Sequence, residues 1–381
     1  MNIIVILLCF LLTAFFHQGL YFLIPFISLY YISIKKNSRL TLNPVSKIYL
    51  YVVLVVLGFV FIQSVLLFDI KVFSIKGWLR FLAYFSFAVL ISYMKKEDIK
   101  YAFIIIILYF IITIPLGFHQ FFAWDGGRNR NIFDHSNHLA YVLSMCIYFL
   151  IFHNPFKNKT IKHICLVGLL LSLVLTKSTG GLLVLFVLFA YNAFRTNRIS
   201  QIKKLTLLTL LIIAVVLTIN FSEKIAYQLD SIDYISLEFL KERINTYTID
   251  GINRAGGHGS FVWRIIYWSK LIATFFSESL TKIVFGVGVD HLTKGYMPYS
   301  FMDKDPHNDF VKVLLEYGVL GFILFLTFLK KIYNVMGKNL NIIILMSVPM
   351  FFGNAIVNFP FNITLVLILM YEFKKNNFKI D

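Results

Sequence analysis

The chain has 381 residues, of which 59% are hydrophobic and only 14% charged, with a mean hydropathy of +0.77. Soluble domains are nearer a quarter charged, so this balance excludes an ordinary soluble enzyme and predicts an all-α polytopic membrane protein. The formal charge of +17 does not indicate nucleic acid, because much of it sits in short loops between apolar runs, where the positive-inside rule accounts for it.

Met1 to Ile34 carries no Asp, Glu, Lys or Arg and breaks at His17-Gln18-Gly19, which predicts helices over about 2–17 and 20–34. With no charged leader beyond the amino group and no small-residue cleavage site, the first reads as a membrane helix rather than a signal peptide. Lys35, Lys36, Arg39 and Lys47 mark the cytoplasmic side. Spans over about 48–68 and 78–94 follow, the latter carrying Arg80, which is expected to snorkel. Lys95, Lys96 and Lys100 precede a span at about 101–118. An outer loop, 119–137, leads to a span at about 138–153, with Lys157, Lys159 and Lys162 after it. Residues 163–194 read as a hairpin turning outside at Lys177 to Gly181. Arg195, Arg198, Lys203 and Lys204 come before a ninth span at about 205–221.

Residues 222–308 are the long polar stretch, expected to be one large extracytoplasmic loop. Within it, Trp263 to Phe276 suits a helix lying on the membrane surface. Spans at about 309–329, 340–357 and 361–373 complete residues 309–381, with Lys330, Lys331 and Lys338 between the first two and Lys374 and Lys375 after the last. Every short basic loop then falls on one side, giving about 12 spans with residues 1–221 holding the first nine, and both termini cytoplasmic.

Chemistry is expected in the outer segments. Arg128, Arg130, Arg243, Arg254 and Arg264 are all placed outside, and the planar guanidinium suits a phosphate. Arg264, set among Trp263, Tyr267 and Trp268, could face a cavity or simply anchor an interfacial helix. His307, just before a span, could accept a proton from a hydroxyl, or could be a polar helix-start residue with Asn308 or Asp309 as cap. His135 and His138 are three apart, but no further ligand at convincing spacing completes a metal site. Cys9, Cys146 and Cys165 lie in apolar runs and give no disulfide framework. No nucleotide-binding glycine loop is present, since Gly286-Val287-Gly288 alone is too little.

Four segments together resemble the O-antigen ligase and polymerase superfamily. They are Phe133-Asp134-His135-Ser136-Asn137-His138-Leu139-Ala140, Thr176-Lys177-Ser178-Thr179-Gly180-Gly181, Trp263-Arg264 through Phe285-Gly286-Val287-Gly288, and His307-Asn308-Asp309-Phe310 through Leu315-Glu316-Tyr317-Gly318-Val319-Leu320-Gly321. The resemblance implies a metal-independent, cofactor-free inverting glycosyltransferase with a GT-C-like architecture. It would act at the outer face of the bacterial cytoplasmic (inner) membrane on polyprenyl-diphosphate-linked oligosaccharides. Arg264 would bind the donor diphosphate and His307 would orient or deprotonate the acceptor hydroxyl. Arg254, Arg128, Arg130, Lys177 and Asn308 are the further candidates for diphosphate or glycan binding. The family's hairpin turn often has an arginine after the serine, where this chain has Thr179, so Lys177 or an arginine of 119–137 would supply the charge. A Wzy-type polysaccharide polymerase is the first expectation, for capsule, exopolysaccharide or O-antigen. An O-antigen ligase passing glycan to lipid A core is the alternative, and a flippase, another transporter or a non-catalytic scaffold are rivals. Membrane lipids, a chain-length regulator and a flippase are the partners expected, and nucleic acid is not.

Overall fold

The computed structural model describes residues 2–15, 20–34, 42–66, 72–123, 127–195, 259–289 and 305–376, together with isolated positions 209, 238 and 242. The ninth predicted span, 205–221, lies outside these residues, as does most of the 222–308 segment. Among the described residues all regular structure is helical.

The helices are α1 (Asn2–Phe15), α2 (Leu23–Ile34, after one 3-10 turn at Leu20–Phe22), α3 (Pro44–Leu66), α4 (Val72–Ser92), α5 (Lys96–Ile112), α6 (Ile114–Ala123) and α7 (Ser136–His153). They continue as α8 (Lys159–Leu175), α9 (Thr179–Arg195), α10 (Gly259–Phe276), α11 (Leu280–Phe285), α12 (Asp309–Val335), α13 (Leu340–Phe352) and α14 (Phe359–Lys375). Four of them, α3, α4, α7 and α12, are long and apolar enough to cross a membrane, and the bent pair α5–α6 makes a fifth. The chain is a polytopic helical membrane protein. Several shorter apolar helices, including α9 and α13, surround these spans.

The predicted span at 101–118 is two helices that meet at 43°. Pro115 explains the bend, since its ring removes the N–H that would bond to Ile111. At the centre of the bundle, α14 is buried from Phe359 to Glu372 and α7 from Leu139 to Leu150. Both are apolar all round, as helices enclosed by other helices must be. Asparagine caps start several helices: Asn158 for α8, Asn308 for α12, Asn339 for α13 and Asn358 for α14 each accept backbone N–H groups of the first turn.

The ends of the bundle differ. At one end, near the basic loops, Tyr148 Oη donates to Glu372 Oε1 at 2.6 Å, His153 lies 2.9 Å from the same oxygen and Lys374 bonds the Ser92 carbonyl. At the other end, the turn between α8 and α9, the α13–α14 loop, the 127–135 loop and the start of α12 converge.

Two glycine motifs hold α11 to α12. Gly318 interrupts α12 with φ 69° and ψ −174°. That break leaves the carbonyls of Leu315 and Glu316 without helical donors. Val287 N–H bonds the first at 2.9 Å, and Gly288 N–H and Gln63 Nε2 bond the second at 3.3 and 2.8 Å. Gln63 also donates to the Phe285 carbonyl at 2.7 Å and accepts from Val289 N–H at 3.1 Å, which explains an amide buried in the α3 span. A Cβ at Gly318 would fall 2.3 Å from the Val284 carbonyl oxygen, and one at Gly286 would fall 2.2 Å from that of Glu316. Gly318→Ala is therefore expected to destabilise the protein by about 2 kcal/mol or more, from the strained φ alone before any clash. Gly58→Ala, which meets nothing within 4 Å, is the control. Melting temperatures in detergent should fall clearly for the first and hold for the second.

Candidate functional site

His307 stands in a short loop ahead of α12, in the left-handed region at φ 52°. The loop is held from several sides. Asn308 Oδ1 accepts Phe310 N–H and Val311 N–H at 3.0 and 3.1 Å, so Asn308 is the N-cap of α12. Asp305 Oδ1 receives His307 N–H at 3.4 Å, and Asp305 Oδ2 pairs with Lys312 at 2.9 Å. Trp268 Nε1 donates to the Pro306 carbonyl at 2.6 Å. Asp309, fully buried, accepts Ile356 N–H at 2.8 Å and so ties α12 to the α13–α14 loop.

The imidazole itself is placed by two neighbours. Trp263 of α10 meets it edge-on at 6.3 Å between ring centroids, and Asn354 of the α13–α14 loop lies 3.3 Å from Nδ1. Asn354 was not among the residues expected from sequence, and neither were Asp305 and Lys312. Lys312 lies between Asp305 and Glu316, the latter 3.9 Å away, with all three side chains largely buried. Removing one charge from such a set leaves the others uncompensated. Lys312→Met is expected to cost about 3–5 kcal/mol, read as a fall in melting temperature.

Arg264 lies on α10 one residue beyond Trp263, which stacks on Tyr267 at 4.8 Å. The helix packs Trp263, Ile266, Tyr267 and Leu271 against Val311 and Leu315 of α12. Arg264 is brought to the same end of the bundle as His307. Burial lowers its pKa, which Tyr141 partly offsets, and a guanidinium so far above neutrality stays charged. Among the described residues nothing hydrogen-bonds its buried Nε.

Arg128 is built into the fold. Its Nε donates to the Thr176 carbonyl at 2.9 Å, and a terminal nitrogen reaches Asn137 Oδ1 at 3.0 Å and the Lys177 carbonyl at 3.3 Å. It thus staples the 127–135 loop to the α8–α9 turn and the start of α7. Burial, then the charge of Arg130, lower its pKa. The Arg130 side chain is exposed, and its backbone N–H bonds Gln120 Oε1 at 2.8 Å. Lys177, also at positive φ, sends its ammonium over the Phe121 ring at 4.4 Å. His135 caps α7 through Nδ1 and electrostatically senses both Arg128 and His307. Loss of hydration on its protein side, then His138 and Arg128, push its imidazole down to about 4. His138 pairs with Asp134 at 2.7 Å, and no third metal ligand joins these histidines among the described residues. Arg243, Arg254, His258 and His291 lie outside the described residues.

Below the His307 loop, an apolar cleft runs between α3, α4, α12 and α13. Val56, Phe59, Tyr317 and Phe325 line it, and Arg80, Lys312 and Glu316 are its charged members. The site combines a cationic, aromatic and imidazole-bearing region with an apolar cleft that Lys312, bonded to Asp305 of the His307 loop, joins to it. It can hold an anion and move a proton beside a lipid phase.

No curated protein matches the chain. One family model does, over residues 164–326, from α8 into the second half of α12. The match spans less than half of the chain, yet it contains the α8–α9 turn, Arg264, the Gly286 and Gly318 contact and His307. That family is described as O-antigen ligase, and the match supports the resemblance to the O-antigen ligase and polymerase superfamily.

Proposed function

We propose that the protein is a polysaccharide polymerase that joins polyprenyl-diphosphate-linked oligosaccharides at the outer face of the bacterial cytoplasmic membrane. In this reading about 12 spans and one large extracytoplasmic loop form a GT-C-like frame. Both termini lie in the cytoplasm. The observation that carries it is His307, held by Asn354 and by Trp263 of α10, the helix whose next residue is Arg264, beside an apolar cleft that Lys312 borders. Members of the matched family are membrane glycosyltransferase-like enzymes.

The chemistry needs few parts. The acceptor hydroxyl oxygen attacks the anomeric carbon of the donor sugar from the face opposite the diphosphate, inverting its configuration. The bond from that carbon to the diphosphate oxygen breaks, and its electron pair leaves with the polyprenyl diphosphate. Arg264 stabilises the charge that develops there, with Arg254, Arg130 and Lys177 as further cationic partners. Arg128 and Asn308 serve by holding the loops that frame the site. The hydroxyl proton passes to His307 Nε2. For that, Nδ1 must carry the ring proton, which requires Asn354 to present Oδ1 rather than its NH2 to Nδ1. The Asn354 oxygen otherwise lies buried with no hydrogen bond among the described residues, which favours that orientation. The polyprenyl chain would lie in the apolar cleft. No cofactor enters these steps. A chain-length regulator and a flippase would act beside the enzyme.

The description of the matched family favours a second reading, transfer of finished glycan to lipid A core. A transporter is disfavoured although α12 is broken at Gly318, a feature such proteins use to bind ions. Here the freed carbonyls are already taken by Val287, Gly288 and Gln63. Mass spectrometry of the lipid-linked glycans in cells lacking the protein separates the readings. Single repeat units with no polymer support the polymerase. Long lipid-linked polymer that never reaches its acceptor supports the ligase. Unchanged polymer on its normal acceptor contradicts both.

A further inference from the structure

Tyr141 sits in the first third of α7, 2% exposed, and nothing among the described residues hydrogen-bonds its hydroxyl. A buried hydroxyl left unpaired costs about 1–3 kcal/mol, and phenylalanine would fill the same space without that cost. The surroundings are shaped around the oxygen. A Cβ at Gly353 would fall 2.5 Å from Tyr141 Oη, and one at Gly180 would fall 2.9 Å from it. Both glycines lie at the end of the bundle that carries His307 and Arg264. Gly353 adjoins Asn354, the His307 partner, and Gly180 follows the α8–α9 turn that Arg128 holds.

The charged groups that face this hydroxyl are Arg264 and Asp309. Three buried polar atoms here lack a hydrogen bond among the described residues: Tyr141 Oη, Arg264 Nε and Asp309 Oδ1. They are tied to one another. Arg264 and Asp309 both act electrostatically on Tyr141. Two of the atoms are donors, the phenol and the guanidinium N–H. The third, the carboxylate oxygen, is an acceptor. Native proteins rarely leave such groups unpaired together without a ligand to complete them.

We infer that Tyr141 contacts substrate: its hydroxyl donates to a phosphate oxygen of a glycosyl diphosphate whose charge Arg264 balances, while Asp309 accepts from a sugar hydroxyl. A bare anion would satisfy only the donors, and a neutral sugar would leave the guanidinium uncompensated. A sugar joined to a diphosphate satisfies both sets. This assignment rests on the proposed glycosyl transfer and adds residues that the sequence did not single out. Nothing in an apolar run marks one tyrosine as different from its neighbours.

The test is Tyr141→Phe, purified beside wild type and Arg264→Ala in lipid nanodiscs. Melting temperature, binding of a polyprenyl diphosphate carrying an oligosaccharide, and turnover are measured. The expected result is an unchanged or higher melting temperature, with binding and kcat/KM both about 10- to 100-fold weaker, the scale of one lost hydrogen bond to a charged group. The bare polyprenyl diphosphate should lose affinity in Tyr141→Phe as well, because the phenol reads phosphate. Wild-type binding and turnover in Tyr141→Phe, with both lost in Arg264→Ala, would overturn the role of Tyr141 alone. A clear fall in melting temperature would also overturn it, because the hydroxyl would then be serving the fold. Unchanged binding in both variants would instead overturn the underlying reading of the site.

Discussion

Replacing His307 with alanine is expected to reduce glycosyl transfer by about 100- to 10,000-fold, the range for losing one positioned general base. The loss should not come from unfolding. The cap of α12 belongs to Asn308, the loop is pinned by Trp268 through the Pro306 carbonyl, and Asp305 is held by Lys312. None of these contacts uses the imidazole. Residue 307 keeps a positive φ in either case, where alanine, less favoured than histidine, bears only a modest extra backbone cost. The partner at Nδ1 gives a graded version of the same experiment. Asn354→Leu removes the group that orients the ring and should cost at least about 10-fold. Asn354→Asp restores an acceptor for Nδ1–H and should recover part of that loss. Equal activity for the leucine and aspartate variants would mean that the 3.3 Å contact has no part in proton transfer.

Arg264→Ala should lower kcat/KM by about 100- to 1,000-fold, as removal of a preorganised donor to a developing negative charge does elsewhere. Stability should hold or rise. The guanidinium is partly buried, its pKa is lowered by that burial, and no ion pair to it occurs among the described residues. Removing it relieves a desolvation cost without orphaning a partner. Arg264→Lys should recover only part of the activity, because an ammonium is a point charge and lacks the planar fork. Full activity in the lysine variant would reduce Arg264 to a general electrostatic contributor.

The helical class was legible in the sequence because lipid imposes long apolar runs on the chain. The glycine segments were legible as motifs, although their meaning was not. Gly286 and Gly318 matter because two backbones touch, and no local pattern reports a contact between residues so far apart. Pro115 was visible, but the bend it makes was hidden inside an unbroken apolar run. The site divides along the same line. His307 and Arg264 stand out as polar residues in unusual places. Gln63, Tyr141 and Asn354 acquire roles only when helices distant in sequence pack together, whereas Asp305 and Lys312 pair locally across the start of α12. Arg128 shows the converse. Its charge suggested a phosphate ligand, and in the fold its Nε and one terminal nitrogen also bond the Thr176 and Lys177 carbonyls and Asn137.

The central claim is that this protein itself transfers a glycan from a polyprenyl diphosphate, with His307 taking the proton. The most direct measurement places purified protein in liposomes with a polyprenyl-diphosphate-linked oligosaccharide and follows glycan length and released polyprenyl diphosphate by mass spectrometry. Wild type should yield longer lipid-linked glycan with one polyprenyl diphosphate freed for each repeat joined, and His307→Ala should yield neither. Equal products from folded wild type and His307→Ala, or release of the carrier with no glycan joined, would contradict the account.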